Sequence, residues 1–347
     1  MLKPPKLQPG DRVATVSLSW GGPGAYPHRY EAGKRQLQDE FGLQVIEMKH
    51  TLRKPGWLSR NPRARAEDLI AAFSDDSIKA VISTIGGDDS IRILPHLDLD
   101  VLLSNPKIFL GYSDSTITHL ACLKAGLTSV YGPSIMAGFA ENSGLFPYMV
   151  ESLRRTLFSS EPVGEIFPNL SGWTVERLDW ADPANQSRNR KLNPSSGWSF
   201  LQGRGVHRGH LIGGCVEVLD WLRGTDFWPD ARMWQGAILF LETSEDKPTP
   251  EDVVYYLRVY AALGILDDLA GILCGRPGGG VPIEQFEAYD RAILQVLVEE
   301  EGLRDLPIVT QMDFGHTDPM FVLPYGIQAE IDCDQHKFSI LESAVTE

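Results

Sequence analysis

The sequence is poor in the features that mark disulfide-stabilised, metal-binding or membrane proteins. Its four cysteines are scattered over 347 residues, and no two of them form a CxxC pair. That distribution argues against a zinc site and against a disulfide framework. No uninterrupted apolar run is long enough to cross a bilayer, and the first five residues contain no apolar signal region. We therefore expect a cytoplasmic protein without a metal.

The sequence also contains fewer basic than acidic residues. Lysine and arginine together number 32 against 46 aspartates and glutamates, which gives a net charge of −14. A chain this acidic repels polyanions, so neither nucleic acid nor an anionic membrane is expected as a partner. The nucleotide-binding motifs GxxxxGK[ST] and GxGxxG are both absent. The length exceeds what one compact core usually holds and predicts two domains.

Short β-branched runs alternate with amphipathic helical patterns in the first half of the chain. Alternation of this kind predicts an α/β fold with a parallel sheet covered on both faces. We predict an N-terminal α/β domain over 1–166. Its strands are predicted at 12–17, 45–47, 79–85 and 107–110, and its helices at 30–41, 64–73 and 115–125.

The character of the sequence changes after this first unit. Residues 167–208 show little period of either kind, and we interpret them as an inter-domain loop, functional or mobile at that length. A C-terminal α/β domain is predicted over 209–347. Its helices are predicted at 210–222, 251–263 and 283–300, its strands at 237–241, 269–274 and 307–310, and a closing hairpin at 327–331 and 337–341.

Three separate segments each supply one side chain of a candidate catalytic triad. Ser113 stands between an apolar strand and a helix, Glu242 directly follows an apolar strand, and His316 lies in a loop bounded by glycine and proline. A hydroxyl nucleophile is nearly inert until a base takes its proton, and a third group best orients that base. The three residue types together predict a serine hydrolase.

Each member also has a structural explanation. Serine is a common helix N-cap, a carboxylate at a strand end often pairs with an arginine, and a loop histidine often has no catalytic role. The serine segment differs from the GxSxG elbow of α/β-hydrolases, because Ser115 replaces the second glycine. An α/β-hydrolase esterase, which shares the order serine, acid, histidine, would have one continuous sheet. A catalytically idle ligand-binding protein, with Ser113 as a helix cap, is a further alternative.

A glycine pair closes another apolar strand, at Gly86 and Gly87. Paired glycines let backbone amides face a ligand, although a simple tight turn explains the pair equally well. Asp88, in the same turn, is a candidate substrate-binding residue.

Taken together, these segments resemble the LD-carboxypeptidase and microcin C self-immunity group of serine peptidases. The resemblance implies that Ser113 in the first domain meets Glu242 and His316 of the second at the domain junction, without metal or cofactor. It also implies a homodimer, and we expect the amides of Gly87 and Asp114 to bind the oxyanion. The matching positions are Gly86-Gly87 with Arg92, Leu94, Pro95 and Asp98; Gly111-Tyr112-Ser113-Asp114; Gly213-Gly214 with Gly224-Thr225; Leu241-Glu242; and Gly315-His316 with Pro319.

The two branches of that group differ in substrate. LD-carboxypeptidases trim D-alanine from a murein tetrapeptide, whereas self-immunity proteins cleave the amide between aspartate and a modified nucleotide. The long, tryptophan-rich stretch 172–209 resembles the second branch. Trp180 matches best the position that stacks adenine there, and Trp198 is the second choice, although either indole can simply pack the loop.

Two further positions bear on the substrate. Arg188 and Arg190 add positive charge that a nucleotide phosphate would use, with solvated loop arginines as the simpler explanation. Cys215 is a further candidate substrate-binding residue, and it stands where many relatives have asparagine after the glycine pair. The expected partner is a small peptide or peptidyl-nucleotide substrate. The aspartyl-nucleotide is favoured, and the murein peptide is the alternative.

Overall fold

The computed structural model describes all 347 residues, and its strands form two separate sheets. This arrangement is not the single continuous sheet of an α/β-hydrolase esterase. The strands are β1 (Arg12–Val16), β2 (Gln44–Glu47), β3 (Ile78–Ser83), β4 (Ile108–Gly111), β5 (Val130–Tyr131), β6 (Gly164–Ile166), β7 (Ser199–Gln202), β8 (Val206–Cys215), β9 (Ala237–Glu242), β10 (Gly271–Gly275), β11 (Ile308–Met312), β12 (Leu323–Pro324), β13 (Gln328–Asp332) and β14 (Lys337–Ile340).

Eleven α-helices connect and cover these strands. They are α1 (Gly22–Ala25), α2 (Pro27–Phe41), α3 (Pro55–Arg60), α4 (Pro62–Ser74), α5 (Leu99–Ser104), α6 (Thr116–Ala125), α7 (Pro147–Leu157), α8 (Val216–Leu222), α9 (Ala231–Trp234), α10 (Pro250–Ala262) and α11 (Phe286–Leu294). None of the helices combines the length and the apolar character that crossing a membrane requires.

The first sheet contains six strands in the order β12-β5-β4-β3-β1-β2. Strands β1 to β5 run parallel to their neighbours, and only β12 joins antiparallel, at the edge beside β5. Parallel neighbours need crossover connections, which the intervening helices supply. All four residues of β4 are buried, as expected for a strand covered on both faces. The parallel sheet predicted for the first half is confirmed.

The second sheet contains eight strands in the order β6-β14-β13-β8-β9-β10-β11-β7. Its centre, β8 to β11, is parallel, and the strands on both sides are antiparallel. The predicted closing hairpin is present as β13 and β14. Strand β7 lies inside the segment interpreted as a loop, so that segment supplies an edge of the second sheet as well as a connection.

Two helix predictions were wrong in part. Residues 210–215 belong to strand β8, and only Val216–Leu222 is helical. Sheet pairing decides this, because His210 to Cys215 match Ala237 to Glu242 in parallel register, a long-range contact that local periodicity does not show. The predicted helix 283–300 is α-helical only over Phe286–Leu294, followed by a π-helical segment at Gln295–Glu300.

One apolar core joins the two sheets. Ile117 of α6 and Tyr131 of β5 belong to the same cluster of buried side chains as Leu211 and Phe240 of the second sheet. The rings of Tyr131 and Phe240 lie 5.5 Å apart, centroid to centroid. A junction of this apolar kind fixes two units more firmly than the polar contacts typical between domains.

Thr116 anchors the junction where β8 passes the start of α6. Its Oγ1 donates to the carbonyl of Ser113 at 2.7 Å and accepts the N–H of Cys215 at 3.2 Å. Gly214 has a φ of 140°, and a Cβ there would lie 2.6 Å from Thr116 Cγ2. The close approach of the two backbones therefore requires glycine at position 214.

Substitution of this glycine tests the junction. We expect Gly214→Ala to lower the free energy of unfolding by about 2–4 kcal/mol, because it adds a steric overlap to an unfavourable φ. Gly144→Ala is the matched control: φ is 127° there, but nothing lies within 4 Å of the added carbon. We expect it to cost only about 1–2 kcal/mol. Urea-induced unfolding measures both, and equal losses would contradict the close approach.

Candidate active site

Ser113 occupies a strained turn between a strand and a helix. It follows β4, begins the short 3-10 turn Ser113–Ser115 that leads into α6, and has a φ of 61°. A non-glycine residue in that region costs of order 1–3 kcal/mol and persists only where the surroundings enforce it. The Ser113 side chain makes no capping hydrogen bond to the turn or to α6. The N-cap explanation for this serine is therefore not supported.

Ser113, His316 and Glu242 lie in one hydrogen-bonded line. His316 Nε2 is 3.1 Å from Ser113 Oγ, and His316 Nδ1 is 2.6 Å from Glu242 Oε2. Ser113 comes from the first sheet, whereas Glu242 ends β9 of the second and His316 follows β11. The fold thus brings together the three residues that the sequence predicted, and Glu242 pairs with the histidine rather than with an arginine.

Tyr131 links this line to the backbone of the first sheet. Its hydroxyl accepts the N–H of Ser113 at 2.9 Å and donates to Glu242 Oε1 at 2.5 Å. Burial, together with the charge of Glu242, raises the pKa of Tyr131 well above its usual value, so the phenol stays a neutral donor. Sequence reasoning missed this residue, because an isolated tyrosine in a short apolar strand gives no signal of its role.

A second carboxylate contacts His316. Glu245 Oε2 lies 3.0 Å from His316 Nε2, on the side of the ring opposite Glu242. Burial lowers the pKa of His316, but the charges and hydrogen bonds of Glu242 and Glu245 outweigh it and hold that pKa well above its usual value. The contact with His316 in turn lowers the pKa of Glu245 to about 2. Glu245 therefore contacts the histidine directly, although its neighbours in the sequence are polar.

The carboxylate of Asp114 joins the serine turn to the glycine-pair turn. It is fully buried, and it accepts the backbone N–H groups of Asp89 at 3.1 Å and Ser90 at 2.9 Å. Burial raises the pKa of this carboxyl. The side chain of Asp114 is therefore used to position the turn, which leaves only its backbone amide for a ligand.

A small space beside Ser113 is kept open by the glycine pair. A Cβ at Gly86 would lie 3.0 Å from Ser113 Oγ and 3.4 Å from the backbone nitrogen of Asp114. The N–H of Gly87 donates to no protein acceptor. The two amides that the sequence singled out therefore lie in segments that flank the Ser113 hydroxyl.

A cleft of about 430 Å³ opens over this site. Both units and the inter-domain segment line it. Of the residues predicted from the sequence, Ser113, His316, Gly87, Asp88, Cys215, Trp180 and Arg190 are in its wall.

Trp180 is held in the cleft wall by cationic and aromatic neighbours. The guanidinium of Arg29 lies 4.3 Å from its ring centroid and that of Arg177 lies 5.5 Å away. Tyr26 meets the indole edge-on at 6.2 Å. Burial lowers the pKa of Arg29 to about 10, which leaves it charged at neutral pH. The indole therefore faces the cleft in a locally positive environment.

Trp198 does not reach the cleft. Its Nε1 donates to Asp313 Oδ2 at 2.7 Å, and its ring packs 5.7 Å from Phe321 and 6.4 Å from Phe338. The cause is the strand β7, which begins at the next residue and directs this end of the segment into the core of the second unit. The structure favours the packing explanation for Trp198.

The two loop arginines are already paired. Arg190 bonds Glu141 through Nε at 2.9 Å and Asp318 through a terminal nitrogen at 2.8 Å. Burial lowers the pKa of Arg190, but these two carboxylates outweigh it and raise the value overall. Arg188 donates to Asn185 Oδ1 at 2.7 Å. The structure therefore does not support a phosphate contact by either arginine, and Arg29 and Arg177 are the cations beside Trp180.

Cys215 lines the cleft but is almost fully buried. Its Sγ donates to Glu217 Oε2 at 3.2 Å, and the other oxygen of Glu217 accepts the N–H of Ser244 at 3.0 Å. Burial and the charges of Glu242 and Glu217 raise the pKa of the thiol well above its usual value. The thiol is therefore neutral, and it supports the cleft wall through Glu217.

Removal of the Tyr131 hydroxyl tests its bridging role. We expect Tyr131→Phe to lower the free energy of unfolding by about 2–3 kcal/mol, because a buried carboxylate and a buried N–H both lose a partner. Tyr325→Phe is the control, since that buried hydroxyl donates to one neutral carbonyl, of Gly213, at 2.6 Å. Its loss should cost about 1 kcal/mol. Guanidinium titrations at pH 7 compare the two, and a smaller loss for Tyr131→Phe would refute the bridge.

Comparison with known proteins identifies the family. Residues 13–132 match the LD-carboxypeptidase N-terminal domain, and residues 208–331 match the LD-carboxypeptidase C-terminal domain. A Vibrio cholerae protein classed by name among the carboxypeptidases is 30% identical, over 98% of each chain. The Escherichia coli microcin C7 self-immunity protein MccF is 28% identical, over 97% of this chain and 94% of the relative.

Solved structures share the whole architecture. An MccF-like protein from Streptococcus pneumoniae, in complex with AMP, has a TM-score of 0.86 and 33% identity, covering 95% of this chain and 98% of that one. MccF in complex with aspartyl sulfamoyl adenosine has a TM-score of 0.83 and 26% identity, with full coverage of both chains. The two domain matches and the full-length relatives lead to one assignment: the chain belongs to the LD-carboxypeptidase family of peptidases, S66.

Proposed function

We propose that this protein is a serine peptidase that hydrolyses an amide bond with Ser113, His316 and Glu242. The observation that carries the proposal is the line of contacts from Glu242 Oε2 through His316 to Ser113 Oγ, with distances of 2.6 and 3.1 Å. The strained φ of Ser113 supports it, because backbone strain of this kind clusters at sites of chemistry.

In the proposed mechanism Ser113 Oγ attacks the scissile carbonyl while His316 Nε2 takes its proton. Glu242 keeps the proton on Nδ1 and stabilises the imidazolium that forms. The amides of Gly87 and Asp114 bind the oxyanion. Each donor of this kind typically increases the rate by about 10²–10³. His316 then donates the proton to the leaving amine, and water hydrolyses the acyl-enzyme by the same route.

For the substrate we propose an aspartyl-nucleotide of the microcin C type. The cleft supports this, because Trp180 supplies an aromatic surface and Arg29 and Arg177 supply positive charge beside it. Relatives with the same architecture have been solved with AMP and with aspartyl sulfamoyl adenosine.

The alternative substrate is a murein tetrapeptide, which the LD-carboxypeptidase description of both matching domains favours. The deciding experiment incubates the protein separately with aspartyl sulfamoyl adenosine and with the tetrapeptide and follows both by mass spectrometry. If neither compound is hydrolysed, the alternative of a catalytically idle ligand-binding protein is favoured instead. On family likeness we also propose a homodimer, which sedimentation equilibrium would test.

Substitutions in the triad test the mechanism. We expect Ser113→Ala, Glu242→Ala and His316→Ala each to remove most activity and to retain the folded circular dichroism spectrum. Because triad members act as a unit, Ser113→Ala combined with His316→Ala should cost little more than either alone. Single-turnover rates on aspartyl sulfamoyl adenosine measure this. Near wild-type turnover by Ser113→Ala would exclude the mechanism.

Trp180 decides between the two substrate classes. We expect Trp180→Ala to weaken transition-state binding of the aspartyl-nucleotide by about 1–3 kcal/mol, the usual range for base stacking. The tetrapeptide, which has no base, should lose little. Trp180→Phe is the matched control, because it keeps an aromatic face and should retain most of the kcat/KM. Equal losses on both substrates would mean that the indole only shapes the cleft.

A further inference from the structure

His316 has a carboxylate at each ring nitrogen. Glu242 lies 2.6 Å from Nδ1 and Glu245 lies 3.0 Å from Nε2. Ser113 Oγ shares Nε2 with Glu245, at 3.1 Å. The triad mechanism requires only the carboxylate of Glu242, so the position of Glu245 needs its own explanation.

The charges around the ring favour its protonated form. Glu242 faces it from the end of β9 and Glu245 from the loop that follows. Ser113 and the ring of Tyr112, 5.0 Å away, face it from the serine turn, and Asp318 lies two residues further along its own loop. Arg177 and Arg190 line the same cleft, where the charge of Arg177 favours the ionised form of Glu245 and Arg190 pairs with Asp318. An imidazolium flanked by two carboxylates is stabilised, and in that form Nε2 cannot accept the proton of the serine.

Glu245 also occupies space that the reaction requires. His316 Nε2 must deliver a proton to the leaving amine, so that nitrogen has to approach to hydrogen-bond distance. The carboxylate oxygen of Glu245 stands at 3.0 Å from the same atom. Its side chain is 64% exposed and belongs to the loop between β9 and α10, so it is free to swing away.

We propose that Glu245 is a positioning residue that holds His316 in a protonated resting state and leaves Nε2 when substrate enters the cleft. On its departure the Nε2 proton passes to solvent, and the neutral imidazole becomes able to accept the proton of Ser113. This inference rests on the proposed function of the triad. Glu245 would then set the protonation state of His316 according to whether substrate is bound, whereas Glu242 stays on Nδ1 throughout.

The experiment uses Glu245→Gln, with Asp246→Asn as the matched control. Asp246 lines the same cleft and loses the same charge, but it makes no ion pair with His316. The pKa of His316 in the ligand-free protein is measured by NMR of the imidazole. We expect Glu245→Gln to lower it by about one pH unit, the low end for a close carboxylate because the side chain is largely exposed. Asp246→Asn should shift it far less.

The pH–rate profiles test the departure of Glu245. The profile of kcat/KM reports the free enzyme and that of kcat reports the bound complex. In Glu245→Gln the acid limb of kcat/KM should move down by the same pH unit, with up to about a tenfold gain in kcat/KM at acid pH. The acid limb of kcat should stay in place.

Two outcomes would overturn the proposal: an unchanged pKa of His316 in Glu245→Gln, or an acid limb of kcat that moves together with that of kcat/KM. Because the glutamine amide could itself form a hydrogen bond with Nε2, the same measurements are repeated on Glu245→Ala. Failure of the triad assignment is distinguishable, because it removes turnover on both substrates, whereas the imidazole titration requires no substrate.

Discussion

The hydroxyl of Tyr131 is the contact on which the site depends. It accepts from the backbone of Ser113 and donates to Glu242, Glu242 accepts from His316, and His316 returns to the side chain of Ser113. This closed ring crosses from the first sheet to the second. A buried carboxylate without donors would cost several kcal/mol, so the ring satisfies Glu242 and sets the geometry of the serine at the same time.

The inter-domain segment is positioned by a buried ion cluster. Arg190 in that segment pairs with Glu141 of the first unit and Asp318 of the second. Buried ion pairs contribute little net stability, but removing one partner leaves an uncompensated charge, which is strongly unfavourable. The cluster therefore specifies where the segment lies, and with it the position of Trp180 over the cleft.

Much of this arrangement could be predicted from the sequence, because the fold class follows from local patterns and the three candidate triad residues follow from their residue types together with the family resemblance. Ser113 and Glu242 stand at the carboxyl ends of apolar strands, where α/β sheets place ligand-binding side chains, but their meeting across two sheets was implied only by the family resemblance. The features that the sequence did not predict depend on contacts between residues that are distant along the chain. The strand at 210–215 forms because β9 and β13 lie beside it. Partners more than 40 residues away in sequence hold Trp198 outside the cleft and neutralise Arg190 within it.

The continuous apolar core has a consequence for how a substrate enters. Many two-domain enzymes close by a hinge, with the active site between units that separate when empty. Here Tyr131 and Phe240 pack within one core across the junction, and parting the sheets would expose that core and break the hydrogen-bonded ring together. In the proposed mechanism, substrate access therefore depends on the loop that carries Glu245 and the segment that carries Trp180. The rigid part of the molecule holds the reacting atoms, and the timescale of access is that of loop motion rather than of domain closure.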